Sequence, residues 1–161
     1  MHDHYENTLE KAERIKNMRI ILGAGQFQRE PNYEHQDQWA FPGIDHVFNL
    51  NEKWPLEDNS YISIIACHVV EHLKDFLHFH NEAHRILKPG GTLYLETPSA
   101  HASPDLIWSD PTHVRPYTPH SWINYLTIEG INKFGYTDKC WGSLHIETRQ
   151  GNLIVHAMPI K

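Results

Sequence analysis

Long apolar runs are missing from this chain: no stretch approaches the ~20 residues that span a bilayer, so no membrane association is expected. The opening stretch MHDHYENTLEKAER is polar and acidic and lacks the apolar core of a secretory leader. Cysteine is scarce. Cys67 and Cys140 alone do not make a disulfide framework, which favours a reducing compartment and hence a cytoplasmic location. Positive charge is also short. With 14 Lys and Arg against 20 Asp and Glu, the net charge is −6, and no basic stripe is available for a general grip on nucleic acid. Recognition of a single nucleotide or base stays open. Ten Pro and nine Gly are too few for a collagen-like or disordered polymer. What remains is the composition of a globular chain of 161 residues, read as one domain over 1–161 with one sizeable core. The surplus is histidine. Fourteen are scattered along the chain, unlike a tag, and most read as surface or satisfied interior imidazoles.

The hydrophobic pattern alternates strands with helices. Residues 3–17 have helical composition, with Leu9, Ala12 and Ile15 at helix-like spacing. Strands are predicted at 18–22, 33–37, 45–50 and 61–67, the last (YISIIAC) a nearly continuous apolar run of the buried parallel kind. An amphipathic helix follows over 76–87, stopped by Lys88-Pro89-Gly90-Gly91. A strand is predicted at 92–97, then a loop over 98–120 holding five prolines. A connection that long is usually functional or disordered. A helix over 121–134, weakened by Gly130, leads to strands at 143–148 and 152–158 joined by Arg149-Gln150-Gly151. Alternating strands and helices imply parallel βαβ units, closed by an antiparallel hairpin.

Four features carry chemistry. Gly23-Ala24-Gly25 follows the first strand, where a glycine turn lets backbone approach a ligand closely; a plain turn is the competing reading. Asp37 ends the second strand, where an acidic side chain can accept hydrogen bonds from ribose hydroxyls, or simply be solvated. His68-Val69-Val70-Glu71-His72 fits H-x-x-E-H, a zinc-protease pattern, for which Glu147 could serve as a distant third ligand. The preceding strand argues against a shared helical face for the two imidazoles, and no metal is expected. The fourth feature is the segment from Asp110 to Pro119, DPTHVRPYTP, which supplies an acceptor, an imidazole and a fixed cation within a proline-stiffened loop. Either it faces a substrate or it pins the loop to the body.

The block from Trp54 to Pro98 resembles class I S-adenosylmethionine-dependent methyltransferases. The matching pieces are Pro55-Leu56-Glu57-Asp58-Asn59-Ser60-Tyr61, His68-Val69-Val70-Glu71-His72-Leu73, Arg85 with Leu87-Lys88-Pro89-Gly90-Gly91, and Thr97-Pro98. Leu22-Gly23-Ala24-Gly25 and Asp37 are similar to the short, type-11-like branch with an abridged first helix, and residues 110–119 resemble that branch's DPTHVR loop. The resemblance implies a Rossmann-like α/β sandwich and a cofactor, S-adenosylmethionine, leaving as S-adenosylhomocysteine. It would lie along Gly23, Ala24 and Gly25, with Asp37 on the ribose, Asn49, Leu50 and Asn51 near the adenine, and His68 beside the methyl group. Asp110, His113, Arg115 and Tyr117 would face a small-molecule or sugar acceptor, methylated at O or N. His113 is the first candidate base and His68 the second. The chain departs from the family at Asn49 and Ile62, where Asp is common, and at Gln26-Phe27, where the glycine turn would continue. A catalytically inactive cofactor-binding or interaction protein that keeps the methyltransferase fold is the alternative implied by those departures.

Overall fold

The computed structural model describes residue 13, residues 16–26 and residues 29–161. The helix expected over 3–17 lies mostly outside the described residues. The remainder builds a seven-stranded sheet in the order β3-β2-β1-β4-β5-β7-β6. The strands are β1 (Met18–Leu22), β2 (Glu34–Asp37), β3 (His46–Val47), β4 (Tyr61–Cys67), β5 (Leu87–Pro98), β6 (Cys140–Arg149) and β7 (Asn152–Ile160). Pairing is parallel from β3 through β5, and β7 runs antiparallel to both β5 and β6. This is the Rossmann-like sandwich with a C-terminal antiparallel hairpin that the sequence predicts. β4 lies at the centre with the predicted bounds, and Tyr61, Ile64 and Ala66 are fully covered. A strand paired on both sides and covered on both faces can be apolar along its length.

Helix α1 (Phe76–Ile86) connects β4 to β5 and buries Phe76, Phe79, Ala83 and Ile86 against the sheet. Asp75 caps it, its carboxylate accepting from His78 N at 3.0 Å. β5 begins at once at Leu87, pairs with Tyr61, and bulges over residues 88–91 before resuming at Ser63 and Thr92.

β3 is shorter than predicted because its extension is diverted. The Gln36 amide donates to Phe48 O at 2.6 Å and the Trp54 indole donates to Leu50 O at 3.2 Å, so these carbonyls bond side chains and not a neighbouring strand. The loop over 98–120 contains helix α2 (Pro104–Ser109). The helix predicted over 121–134 is two helices, α3 (Pro119–Leu126) and α4 (Ile128–Phe134). They break at Thr127 (ψ 166°), whose hydroxyl donates to Ile123 O and accepts from Gly130 N. Gly130 is required by close approach, since a Cβ there would lie 2.1 Å from Asn124 O.

One histidine is a built-in acid sensor of stability. His80 is 1% exposed; its Nδ1 donates to Phe76 O at 2.8 Å and its Nε2 accepts from the Trp122 indole at 2.8 Å. Burial, outweighing the Phe76 carbonyl and assisted by nearby Arg115, pulls its pKa down to about 4. The folded state therefore resists a proton that the unfolded chain takes up near ~6.5. Stability is full above that pH, falls as pH drops toward 4, and levels off below it. The His80 share of the loss is expected to be about 2 kcal/mol at pH 5 and about 3 kcal/mol at pH 4, relative to pH 7. Urea denaturation of the parent and His80→Gln at pH 7 and pH 5 checks this: the acid slope should shrink by that amount in the variant.

Candidate active site

The carboxyl ends of β1, β2 and β4 converge on one cleft, the place where open α/β sheets gather ligand groups. Its cavity of about 210 Å³ is lined by Gly23, Gln36, Asp37, Gln38, Asn49, Leu50, Asn51, His68, Val69, His72 and Leu73. Six residues singled out from the sequence thus share one wall system: Gly23, Asp37, Asn49, Leu50, Asn51 and His68. Ala24 and Gly25 are in the adjoining turn but do not line the cavity. A larger groove, about 700 Å³, lies where β1 and β2 begin, among Met18, Tyr33, Glu34 and Asp45. It is at the opposite end of the strands from these motifs.

The glycine turn works differently from the simplest expectation. Its amides are already engaged: Gly23 N donates to Gln36 Oε1 (3.1 Å), Ala24 N to Gln36 O (2.9 Å) and Gly25 N to Asp37 Oδ2 (2.9 Å). The turn locks the end of β2 in place. Gly23 has φ +64°, and a Cβ there would come within 2.5 Å of Val69 Cγ2. Glycine is needed on both counts. Asp37 Oδ1 also accepts from Trp39 N at 3.0 Å. A carboxylate has about four acceptor positions, so two remain for hydroxyls.

Asn49 and Asn51 form a small rigid loop. Asn49 Oδ1 accepts from the backbone and side-chain amides of Asn51, and Asn51 Oδ1 accepts from Lys74 N at 2.8 Å. Beneath it, Arg85 fastens the 54–58 turn. Its guanidinium grips Glu82 with two bonds of 2.8 Å and reaches Leu56 O, Trp54 O and Asp58 Oδ1 at 2.7–3.0 Å. Despite its desolvation by burial, the Glu82 carboxyl is held below its ordinary range by Arg85 and by the Trp54 N–H. Asp58 and Arg85, quoted above as family-like motif residues, are thus structural fasteners.

His68 follows β4 in a left-handed conformation, φ +54°, which costs a non-glycine residue about 1–2 kcal/mol. Its N–H donates to Glu96 O at 2.8 Å, and its half-exposed ring faces the cleft. His68 Nδ1 lies 3.3 Å from Glu71 Oε1, and that contact holds the imidazole above its ordinary pKa against partial desolvation. Residues Val70–His72 form one 3-10 turn. His68 and His72 therefore do not share a helix face, and the H-x-x-E-H motif is not a helical zinc site.

The 110–117 loop divides its residues. His113 packs edge-on against the His72 ring with centroids 4.7 Å apart, and its Nδ1 donates to Ile107 O at 2.9 Å. Asp110 sits beside it, Oδ2 3.8 Å from His113 Nε2. Hydrogen bonds from the Thr112 hydroxyl and N–H hold the Asp110 carboxyl below its ordinary range. Arg115 and Tyr117 turn elsewhere. The guanidinium of Arg115 lies over the Phe76 and Tyr117 rings. Tyr117 is fully buried, with its hydroxyl on Val70 O at 3.3 Å. It is a core residue and presents nothing to an acceptor, contrary to the sequence expectation. Gln36, Gln38, Val69, His72 and Leu73 line the cleft without having been singled out as its lining. Their signal was adjacency to Asp37 and membership of the His68–Leu73 run.

Residues 30–95 match the family model described as "Methyltransferase domain". A demethylmenaquinone methyltransferase of Chlorobaculum tepidum is 34% identical over 58 residues, which is 36% of this chain and 24% of that protein. The chain therefore spans about a quarter of that curated relative. Among solved structures, an S-adenosylmethionine-dependent methyltransferase from Archaeoglobus fulgidus superimposes with a TM-score of 0.66 at 13% identity, over 93% of this chain and 90% of that one. A Thermotoga maritima methyltransferase described as a possible histamine N-methyltransferase gives 0.67 at 12% identity, over 94% and 89%. The carbon methyltransferase of CurJ gives 0.63 at 14% identity, over 90% of this chain and 49% of that one. No helix among the described residues is long and apolar enough to cross a membrane.

Proposed function

From a chain with the fold of the class I S-adenosylmethionine-dependent methyltransferases and a methyltransferase-domain segment at residues 30–95, we propose that it transfers the methyl group of S-adenosylmethionine to a small-molecule acceptor at O or N. The single observation that carries this reading is the convergence of Gly23, Asp37, Asn49, Leu50, Asn51 and His68 on one cleft at the carboxyl ends of the strands. At about 210 Å³ the cavity is below the ~300–1,000 Å³ of a site that encloses a whole ligand. It would take the adenosine, with the two remaining acceptor positions of Asp37 on the ribose hydroxyls and the 49–51 loop against the adenine. The methionyl arm would run over the glycine turn.

The cofactor supplies an activated methyl group on sulfur; the chain's residues position, shield and move a proton. The acceptor's lone pair forms the new bond to the methyl carbon as the carbon–sulfur electron pair returns to sulfur. The acceptor's proton leaves to a base where one is needed. His68, at the cleft, and His113, on the facing loop, are the imidazoles on that side.

Asp37→Ala is expected to weaken S-adenosylhomocysteine binding about 5- to 150-fold, the loss of about 1–3 kcal/mol of charged hydrogen bonding. Calorimetric titration checks it beside a melting curve, because Asp37 also holds Gly25 and Trp39. Unchanged affinity removes Asp37 from the ribose. Binding by the parent with no turnover on any acceptor would favour the non-catalytic alternative.

A further inference from the structure

We propose that Glu71, His72 and His113 form a binding site for a divalent first-row transition cation, placed between the cofactor cleft and the 110–117 loop. One carboxylate oxygen and one nitrogen of each ring lie within 4.8 Å of one another. The polar partners around the cluster leave lone pairs for an ion. The Glu71 side chain is 2% exposed; its buried Oε1 accepts no well-formed hydrogen bond among the described residues and is ion-paired with His68 Nδ1 at 3.3 Å. The other oxygen, Oε2, accepts from the Thr97 hydroxyl at 3.0 Å, which fixes the carboxylate's orientation. The pair with His68 uses one lone pair of this buried oxygen, and a cation would take the other.

Both imidazoles are oriented for the same task. His113 Nδ1 donates to Ile107 O, so its Nε2 carries the lone pair. The Thr112 hydroxyl gives its proton to Asp110 Oδ1 at 2.6 Å and therefore accepts from His72 Nδ1 at 2.9 Å, which leaves the lone pair of His72 on Nε2 as well. A ring N–H given to a backbone carbonyl, or through a hydroxyl to a carboxylate, is the outer-shell support that metal-binding histidines use. Two imidazoles and one carboxylate suit Zn²⁺, Co²⁺ or Fe²⁺; Mg²⁺ and Ca²⁺ prefer oxygen donors. Ligands of one ion at ~2.0–2.2 Å stand about 3.4 Å apart in a tetrahedron, so the group has to close by up to about 1.4 Å. Three ligands leave at least one position open for water or an acceptor oxygen.

The use of the ion rests on the methyl-transfer reading. His72 also lines the cofactor cleft, so an acceptor oxygen on the ion would be held beside the methyl group and stabilised as an anion, its proton passing to His68 or to solvent. His113 would then hold the ion and take no part in proton transfer.

The test is titration of EDTA-stripped protein with Co²⁺ and then Zn²⁺, read by the visible absorption of bound Co²⁺ and by calorimetry. The parent is expected to bind one ion per chain, with Zn²⁺ displacing Co²⁺. His72→Ala and His113→Ala should each weaken binding more than about 100-fold, since even outer-shell changes cost 10–100-fold. His145→Ala, on β6 away from the cluster, should bind like the parent. Absence of ligand-field bands in folded parent protein, or bands that persist in both histidine variants, overturns the proposal. The latter result would place the ion on other histidines. Glu71→Gln adds a third reading if it melts normally; the two histidine variants decide the matter without it. No cofactor or acceptor is present in this titration, so its failure leaves S-adenosylhomocysteine binding untouched, and failure of cofactor binding leaves the Co²⁺ spectrum untouched.

Discussion

His113→Ala is expected to lower kcat by about 10²–10⁴-fold, the range for a group that handles an acceptor's proton or oxygen in the transition state. S-adenosylhomocysteine affinity should hardly change, because His113 is not among the residues that line the cleft proposed for the cofactor. The prediction separates two roles for the 110–117 loop. A loop that merely pins itself to the body would lose stability, and the variant would melt early and bind the cofactor product weakly. Such a role has structural support in part: Tyr117 is core, Arg115 lies on two rings, and Val114 N donates to Glu71 O at 2.7 Å. His113 is different. Its ring packs edge-on against His72 at the cleft, and its one ring hydrogen bond, to Ile107 O, orients it and leaves Nε2 a lone pair. Kinetics with a melting curve and a cofactor titration on the same preparation checks this. A normal melt, normal cofactor binding and parent kcat together would remove His113 from the site.

The second large effect is on the fold. Arg85→Met is expected to destabilise the protein by about 3 kcal/mol, the low end of what breaking one partner of a buried charge pair costs. The Glu82 side chain is only 13% exposed and would be left with Trp54 N as its remaining donor, while Leu56 O and Trp54 O would each lose a partner. Methionine keeps the apolar stem and isolates the lost charge and hydrogen bonds. For a chain of this length the expected drop in Tm is roughly 6–12 °C. The 54–58 turn precedes β4 and follows the 49–51 loop, so cofactor affinity should fall as well. Thermal melting decides the first part; a Tm within a degree or two of the parent would show that the network is dispensable.

The parts of the fold that the sequence announced were those set by local pattern. Tyr61–Cys67 was legible because a central parallel strand must be apolar throughout, and α1 because its buried residues recur at helical spacing. Tertiary events were not legible. β3 ends early because the Gln36 and Trp54 side chains take its carbonyls. The break at Thr127 depends on Gly130 packing against Asn124 O. The cleft was readable in part from motif residues, since strand ends fix where Gly23, Asp37 and His68 must point. The acceptor side was readable only in part: a tyrosine in a polar, proline-rich loop carries no signal that its ring will reach the core. The H-x-x-E-H run pointed to the right residues with the wrong geometry. The positive φ of His68 turns it away from a shared helix face, and His113, 41 positions beyond His72, comes to lie beside Glu71 and His72 in its place.

The central claim, that the cleft at the carboxyl ends of β1, β2 and β4 binds the methyl donor, is tested most directly by titrating S-adenosylhomocysteine into ¹⁵N-labelled protein and following the backbone amide shifts. Saturable shifts are expected at Gly23, Gln38, Leu50, Asn51, His68 and Val69, with Met18, Tyr33 and Glu34 at the far end of the sheet unmoved. An absence of shifts at saturating ligand, or shifts confined to that far groove, would contradict it.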